Sequence, residues 1–146
     1  MQQKKTDNSL ELFYTRCREN GLKVTPQRIA IYKKLIQSEK HPTAEQLYKI
    51  VKKRFNNISL DTINRTLITF ARIGLVSVVE GFGSPRRYDH NLSSHHHVHC
   101  VKCGAILDFH NREYDALDVP GEIKRKFEIL NKRVVLNGIC AKCKRG

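Results

Sequence analysis

The chain has 146 residues, with 27 lysines and arginines against 14 aspartates and glutamates, which gives a formal net charge of +13. This length allows one ordinary domain or two small ones. No apolar run approaches the ~20 residues of a membrane helix, and the polar N-terminus does not read as a signal peptide. We therefore expect a cytoplasmic protein without a membrane partner, whose five cysteines are reduced.

The charge and the potential metal ligands are distributed in opposite ways. Residues 1–88 carry 17 basic and 7 acidic side chains, a net charge of +10, whereas residues 89–146 carry 10 and 7, a net charge of +3. Four of the five cysteines and six of the seven histidines follow residue 88. The sequence thus predicts a basic front module and a metal-binding back module. The basic excess favours nucleic acid as a partner, and a merely basic soluble protein is the alternative.

Helical signals begin near the N-terminus. Asn8 and Glu11 resemble a capping box, and Gly21 is placed to end the first helix. Thr25 followed by Pro26 is typical of the start of a second helix. The apolar stripes of the two helices are Leu10, Phe13, Tyr14 and Cys17, and Ile29, Tyr32, Leu35 and Ile36.

Two further helices are predicted in the front module. Thr43 with Gln46 forms a capping box for the third, and Ser59 caps the fourth, which Gly74 ends. Their inward-facing residues are predicted to be Leu47, Ile50 and Val51, and Ile63, Leu67 and Phe70.

A hairpin follows the helices. Extended runs at 76–80 and 86–89 flank a turn rich in glycine and proline at 81–85. Short helices followed by a basic hairpin are typical of a winged helix-turn-helix domain.

The back module combines strands with one helix. Strands are predicted over 98–101, 105–109 and 132–136, with a helix over about 119–127. The chain is therefore predicted to be α+β, with a winged helix-turn-helix domain followed by a small α/β domain.

The fourth helix is the predicted recognition helix, because the second helix of a helix-turn-helix enters the major groove. Asn64 can pair with adenine and Arg65 with guanine. Hydroxyls at the helix N-terminus suit phosphate, and arginines on the hairpin can reach the DNA backbone or the minor groove. A solvated helix face is the alternative. The predicted DNA-binding residues are Ser59, Thr62, Asn64, Arg65, Arg86 and Arg87.

Two pairs of cysteines carry the most specific signal. Cys100 and Cys103 form one CxxC, and Cys140 and Cys143 form another after 36 intervening residues. Four thiolates suit a closed tetrahedral Zn²⁺ site that cross-links a small module. A redox function is less favoured, because neither pair opens the helix of a βαβ unit. Cys17 lies on an apolar helix face and is predicted to belong to the core.

A histidine run precedes the first cysteine pair, with four histidines among residues 95–99. In an extended segment His95 and His97 point the same way and His96 the other way. Asp89 and Asp108 can add oxygen ligands, and such a mixed site suits Fe²⁺, Mn²⁺ or Zn²⁺. A solvated histidine-rich strand is the alternative.

Four segments together resemble the Fur family of bacterial metal- and peroxide-responsive repressors. They are VTPQR at 24–28, HPTAEQLY at 41–48, HHHVHCVKCG at 95–104 and CAKC at 140–143. The resemblance implies a homodimer and a structural zinc site at the four cysteines. It also implies a DNA-binding domain over 1–84, a hinge over 85–90, and a dimerisation and metal-binding domain over 91–146.

Within that family the chain is most similar to the PerR-type peroxide sensors. The resemblance implies a regulatory Fe²⁺ or Mn²⁺ site formed by His41, Asp89, His95, His97 and Asp108. The family usually has tyrosine in the recognition helix where this chain has Asn64, which leaves operator preference open. The roles of the other histidines of the back module also stay open; they are His90, His96, His99 and His110.

The resemblance further implies a mechanism. A metal held by all five ligands would join the two domains in a DNA-binding geometry, and iron-catalysed oxidation of His41 or His95 by peroxide would release DNA. Mn²⁺ would support DNA binding without this chemistry. The alternatives are a metal-uptake repressor of Fe²⁺ or Zn²⁺, a metal-dependent hydrolase or nuclease, and a purely structural zinc module. No HExxH, nucleophile elbow or Walker loop is present, so we expect neither an enzyme nor a small-molecule substrate.

Overall fold

Two structural units follow one another in the computed structural model, Met1–Leu92 and Ser93–Gly146. The structure describes residues 2–38, 41–79 and 85–146. Within those ranges no helix combines the length and the apolar character needed to cross a membrane. The predicted hinge, 85–90, falls inside the first unit, because part of it pairs with a strand of that unit.

Four helices open the first unit, as predicted. Thr25, Thr43 and Ser59 each accept a hydrogen bond from a backbone N–H in the first turn of the following helix. At Thr43 the backbone N–H in turn donates to the Gln46 side-chain oxygen, which completes the capping box. The helices are α1 (Gln2–Glu19), α2 (Pro26–Gln37), α3 (Ala44–Val51) and α4 (Leu60–Arg72).

The first helix starts earlier than predicted. Asn8 lies inside α1 rather than at its N-cap, so that prediction was wrong. Residues 2–9 contain neither glycine nor proline, so nothing in them stops the helix from extending towards the N-terminus. The predicted end was right: Gly21 has φ +63° and the N–H of Leu22 bonds the Cys17 carbonyl at 2.8 Å. This is a Schellman motif, and Gly74 ends α4 in the same way.

An aromatic cluster lies at the centre of the first unit. The ring of Phe13 is 5.0 Å from that of Tyr32 and 5.8 Å from that of Phe70, so it joins α1, α2 and α4. Cys17 is fully buried beside them, as predicted. Ile50 is 43% exposed, contrary to prediction, because α3 packs through Ala44, Leu47 and Val51 and leaves Ile50 at the edge of that face.

The predicted hairpin is present but shorter than expected. Strands β1 (Ser77–Val78) and β2 (Tyr88–Asp89) pair antiparallel, with Ser77 opposite Asp89. The Tyr88 N–H also bonds the Pro42 carbonyl at 3.0 Å, which ties β2 to the chain just before α3. Residues 81–84 of the predicted turn, 81–85, lie outside the described residues.

The second unit is built around a three-stranded sheet with the order β4-β3-β5. Strand β3 (His96–Cys100) pairs antiparallel with β4 (Ile106–Phe109) and parallel with β5 (Val135–Gly138). Strand β5 therefore lies later than the predicted 132–136. The predicted α+β class is confirmed. The helices of this unit are α5 (Arg112–Asp115), α6 (Gly121–Lys126) and α7 (Ala141–Arg145), and only α6 was predicted.

The second unit buries polar rather than apolar side chains. Within residues 93–146, all of which the structure describes, Cys100 is the one buried side chain of apolar type. The others that are buried are four histidines of the segment 95–99. Leu107, Phe127 and Leu130 are at least 64% exposed. A unit of this size with so little apolar burial needs further cross-links to be stable.

Candidate metal centres and nucleic-acid interface

The parallel pairing of β3 and β5 brings the two cysteine pairs together. Cys100 ends β3 opposite Gly138 of β5, so both strands end at the same edge of the sheet. After β3 the chain turns through Gly104, whose φ is +76°, and after β5 it enters α7. Ligand atoms of all four predicted zinc ligands lie within 4.8 Å of one another.

The contacts among these thiols favour a bound cation. The Cys103 and Cys140 sulfurs are 3.8 Å apart, and the Cys140 N–H donates to the Cys100 sulfur at 3.3 Å. That bond is the largest of several backbone hydrogen bonds that lower the pKa of the Cys100 thiol to about 6, whereas the thiols beside Cys143 raise the pKa of Cys143 to about 12. Four adjacent sulfurs cannot all ionise without a compensating charge. Four thiolates in tetrahedral reach are the donor set of structural Zn²⁺.

A second cluster in the same unit consists of two imidazoles and one carboxylate. The Nε2 atoms of His95 and His97 are 3.1 Å apart, and the Asp108 Oδ1 lies 3.1 Å from His97 Nε2 and 3.9 Å from His95 Nε2. His97 and Asp108 are cross-strand partners in the β3–β4 register. Both rings are buried. Their 3.1 Å contact shows that His95 and His97 lie on the same side of the chain, as the alternation in the sequence predicts.

The remaining two predicted ligands lie together in the first unit. His41 Nε2 is 3.6 Å from Asp89 Oδ2, and both residues are buried. His41 is the one residue other than glycine with positive φ (+44°) in the part of the chain that the structure describes. Such a backbone costs on the order of 1–3 kcal/mol and tends to occur at functional sites.

Arg87 supports the backbone of His41. Its Nε donates to the His41 carbonyl, and Thr43 forms a β-bridge with Arg87. Burial lowers the pKa of Arg87, which is only partly exposed. The sequence predicted Arg87 as a DNA contact, whereas the structure shows it bonded within the first unit. Arg86 beside it is exposed.

The predicted recognition helix is capped by Ser59. The Ser59 hydroxyl accepts from the Thr62 N–H at 3.1 Å and lies 2.9 Å from the Thr62 hydroxyl. The Arg65 side chain is 79% exposed, and its Nε donates to Asp61, one turn earlier, at 2.9 Å. Asn64 and Arg86 line a common cleft of about 290 Å³ between α3, α4 and the second hairpin strand.

Sequence reasoning missed the polar contacts of His96 in the second unit. His96, whose role was open, has its Nε2 2.8 Å from Asp115 Oδ1, and its Nδ1 accepts from the Val134 N–H at 2.9 Å. Asp115 lies in the unpredicted helix α5. A histidine in the middle of a histidine run carries no signal that it pairs with a carboxylate 19 residues later.

Residues 19–143 match the sequence profile of the ferric uptake regulator family. The chain belongs to this family. The peroxide-responsive repressor PerR of Staphylococcus epidermidis is 37% identical to it, over 94% of this chain and 92% of the relative. The Staphylococcus aureus proteins of the same name are 34% identical over 94% of this chain and 93% of the relative.

Solved structures of the ferric uptake regulator family resemble the fold. The regulator Fur of Helicobacter pylori, described as having three functional metal-binding sites, has a TM-score of 0.78 and 25% identity. The alignment covers 95% of this chain and 93% of that one. PerR of Streptococcus pyogenes, described in connection with peroxide sensing and gene regulation, has a TM-score of 0.52 and 30% identity, with 91% of each chain covered.

Proposed function

We propose that this Fur-family protein is a metal-dependent, DNA-binding repressor that works as a homodimer in the cytoplasm and responds to peroxide. The observation that carries the proposal is the pairing of the histidine and aspartate donors. His41 contacts Asp89 in the first unit, and His95 contacts His97 and Asp108 in the second. The peroxide-responsive relatives, at 34–37% identity, support the same function.

The donor chemistry fits a labile ion in one place and a permanent ion in the other. We assign the three histidines and two aspartates to a single regulatory Fe²⁺ or Mn²⁺, because imidazole with carboxylate suits these ions. We assign the four thiols to structural Zn²⁺, because soft, closed sulfur sites favour it. Since two regulatory ligands belong to the first unit and three to the second, metal binding would couple the DNA-binding unit to the sensing unit.

We propose that α4 of the first unit enters the major groove. Asn64 and Arg65 would contact bases, Ser59 and Thr62 would lie near a phosphate, and Arg86 would contact the backbone. Arg87 stays a weaker candidate, because its Nε is engaged by His41. The +10 net charge of residues 1–88 would supply the salt-dependent part of the affinity.

A second copy of the chain is the proposed partner of the second unit. Both outer strands of its sheet, β4 and β5, have an open edge within that sheet, and β4 exposes Leu107. Large apolar side chains at α6 and after it, Phe127 and Leu130, are 64% and 84% exposed. Exposed apolar groups of this extent are typical of a subunit interface. Two symmetric recognition helices would then read two half-sites of an operator.

The peroxide response is assigned to the imidazole ligands. Bound Fe²⁺ would activate hydrogen peroxide next to a ligating ring and return to Fe²⁺, with no net loss of electrons. One oxygen atom of the peroxide would be inserted at a ring C–H of His41 or His95, which gives up two electrons, and the other oxygen would leave as water. The oxidised ring would donate poorly to a metal, so the two units would lose their shared ion and DNA would be released.

Peptide mass spectrometry after a brief peroxide pulse tests this proposal. We expect one added oxygen on the peptide bearing His41 or His95 in the Fe²⁺-loaded protein, and none in the Mn²⁺-loaded protein. His41→Ala and His95→Ala variants should lose metal-dependent DNA binding. His110→Ala serves as a control, because His110 is an exposed histidine outside the assigned ligand set.

The other function to be tested is a metal-uptake repressor that ignores peroxide. This second function is favoured if the protein binds DNA in a metal-dependent way and the Fe²⁺-loaded form gains no oxygen after the peroxide pulse.

A second experiment tests DNA binding itself. Binding of random and selected duplexes should be measured by fluorescence anisotropy with Mn²⁺ and with chelator. If no duplex binds more tightly with metal, the repressor proposal itself is refuted.

A further inference from the structure

The side chain of His96 joins three segments of the second unit. The Val134 N–H can only donate, so His96 Nδ1 accepts at 2.9 Å. The proton of a neutral ring is then on Nε2, which points at Asp115 Oδ1 at 2.8 Å. Both ring nitrogens are therefore used by protein groups, and the side chain is fully buried.

Two further hydrogen bonds from residues 133–134 hold the residues on either side of His96. The N–H of His97 donates to the Val134 carbonyl at 3.2 Å, and Arg133 Nε donates to the His95 carbonyl at 3.2 Å. The tripeptide from His95 to His97 is thus fixed at each of its three residues by residues 133–134. Asp115 is the additional anchor from α5.

The rings of Tyr114 and Phe109 enclose His96 on its own side of the strand. Their centroids lie 5.7 Å from the centroid of the imidazole, and the Tyr114 ring is nearly perpendicular to it. His96 therefore points to the side of β3 opposite to His95 and His97, as strand alternation requires. A rotation of β3 about its axis would move all three imidazoles together.

We propose that His96 and Asp115 are positioning residues for the regulatory metal and are not ligands of it. The bonds of His96 to Asp115 and to the Val134 backbone set the rotation of β3, and so the aim of His95 and His97. They also keep a third imidazole of the run away from the ion. Metal sites require ligands held within about 0.5 Å and 10–20° of the productive geometry. This inference rests on the proposed regulatory site.

Mn²⁺ affinity of Asp115 variants tests the inference, in full-length protein with its zinc retained. Asp115→Ala removes the acceptor of the His96 proton, so we expect Mn²⁺ binding about tenfold weaker, with unchanged stoichiometry, as for other groups that orient metal ligands. Asp115→Asn keeps an acceptor oxygen, so its affinity should stay within about twofold of that of the unmodified protein.

Asp118→Ala is the matched control. Asp118 lies three residues later, is exposed, and contacts Lys124 and the Val119 N–H rather than a histidine. We expect no change in its Mn²⁺ affinity. An Asp115→Ala variant with the affinity of the unmodified protein overturns the inference. The inference is also overturned if Asp115→Asn loses as much Mn²⁺ affinity as Asp115→Ala, since that result would make the carboxylate itself a ligand.

Histidine nitrogen NMR of the unmodified protein gives a reading that does not depend on any variant folding. With zinc bound and the regulatory metal absent, His96 should be the neutral Nε2–H tautomer, and added Zn²⁺ should not turn either nitrogen into a metal ligand. A His96 that binds the added ion overturns the inference. If the unmodified protein binds no Mn²⁺ at all, the proposed function fails instead, so the two failures are distinguishable.

Discussion

Removal of the four-cysteine site should unfold the second unit and leave the first unit folded. The change is Cys143→Ser, which removes one of the four adjacent thiols. Serine is close in size, so the direct effect is the loss of a thiolate donor. The same result should follow from a strong chelator at mildly acidic pH, because protons compete with the metal for thiolates.

The expected magnitude follows from what the second unit buries. A structural Zn²⁺ site contributes about 10–16 kcal/mol in small zinc-binding peptides. Whole domains are stable by only about 5–15 kcal/mol. Because Cys100 is the one buried apolar side chain among residues 93–146, the unit has little apolar burial to offset the loss. We therefore expect the free energy of unfolding of this unit to fall to zero or below.

Hydrogen exchange resolved by mass spectrometry measures the two units separately in one chain. Peptides from β3 and β5 should exchange as fast as unfolded controls in Cys143→Ser. Peptides from α2 and α4 should keep their protection, since their core around Phe13, Tyr32 and Phe70 lies wholly in the first unit.

Cys17→Ala is the matched control, since Cys17 belongs to the first core and is remote in sequence from the four clustered cysteines. It should leave the protection of β3 and β5 and the zinc content unchanged. Retained protection of β3 and β5 in zinc-free protein would refute the reasoning, because it would show that the second unit folds without the metal.

Three further predictions concern the first unit. Asp61→Asn removes the carboxylate that holds Arg65 from 2.9 Å away, so the Arg65 side chain becomes free to bind phosphate instead of a base. The ratio of the affinities for a selected operator and for random DNA should then fall about tenfold, as measured by fluorescence anisotropy at fixed salt. An unchanged ratio would contradict this. Burial raises the pKa of Tyr32 to about 12, from about 10 in an unfolded chain. This contribution to stability is fully present below pH 10 and is lost between pH 10 and 12. Over that range the free energy of unfolding, measured in urea melts, should therefore fall by about 2–3 kcal/mol more in the unmodified protein than in Tyr32→Phe. Leu67→Ala, at a fully buried position of α4, should cost about 3–5 kcal/mol in the same melts, and a cost below 1 kcal/mol would mean that α4 is not packed on the core.

The helices of the first unit were predictable because their end signals are local. A threonine that can cap the backbone N–H three residues later is visible in the sequence, as at Thr25. So is a glycine that can take the left-handed backbone conformation at a helix end, as at Gly74. The start of α1 was missed because Asn8 can cap a helix or lie inside one, and only the propensity of the preceding residues decides. The exposure of Ile50 depends on which neighbouring helices pack on α3, which periodicity does not contain.

The site was predictable as far as spacing determines it. Two CxxC pairs predict a cluster wherever their strands meet, and the strand alternation of the histidine run placed His95 with His97. The contact between Arg87 and His41 was not predictable, because it joins two segments 46 residues apart through a backbone carbonyl. The left-handed backbone of His41 was likewise hidden, since histidine carries no glycine-like signal.

The parallel pairing of β3 with β5 has a consequence for how the chain is made. Val134 and His96 are 38 residues apart, and parallel strands so distant in sequence pair slowly. The first unit has a complete core before residue 93 is synthesised, whereas the cysteine cluster needs Cys143. A growing chain can therefore fold its helical half first while its histidine-rich strand still lacks β5. The unit that holds the histidine and cysteine clusters is therefore completed last, once Cys143 has been synthesised.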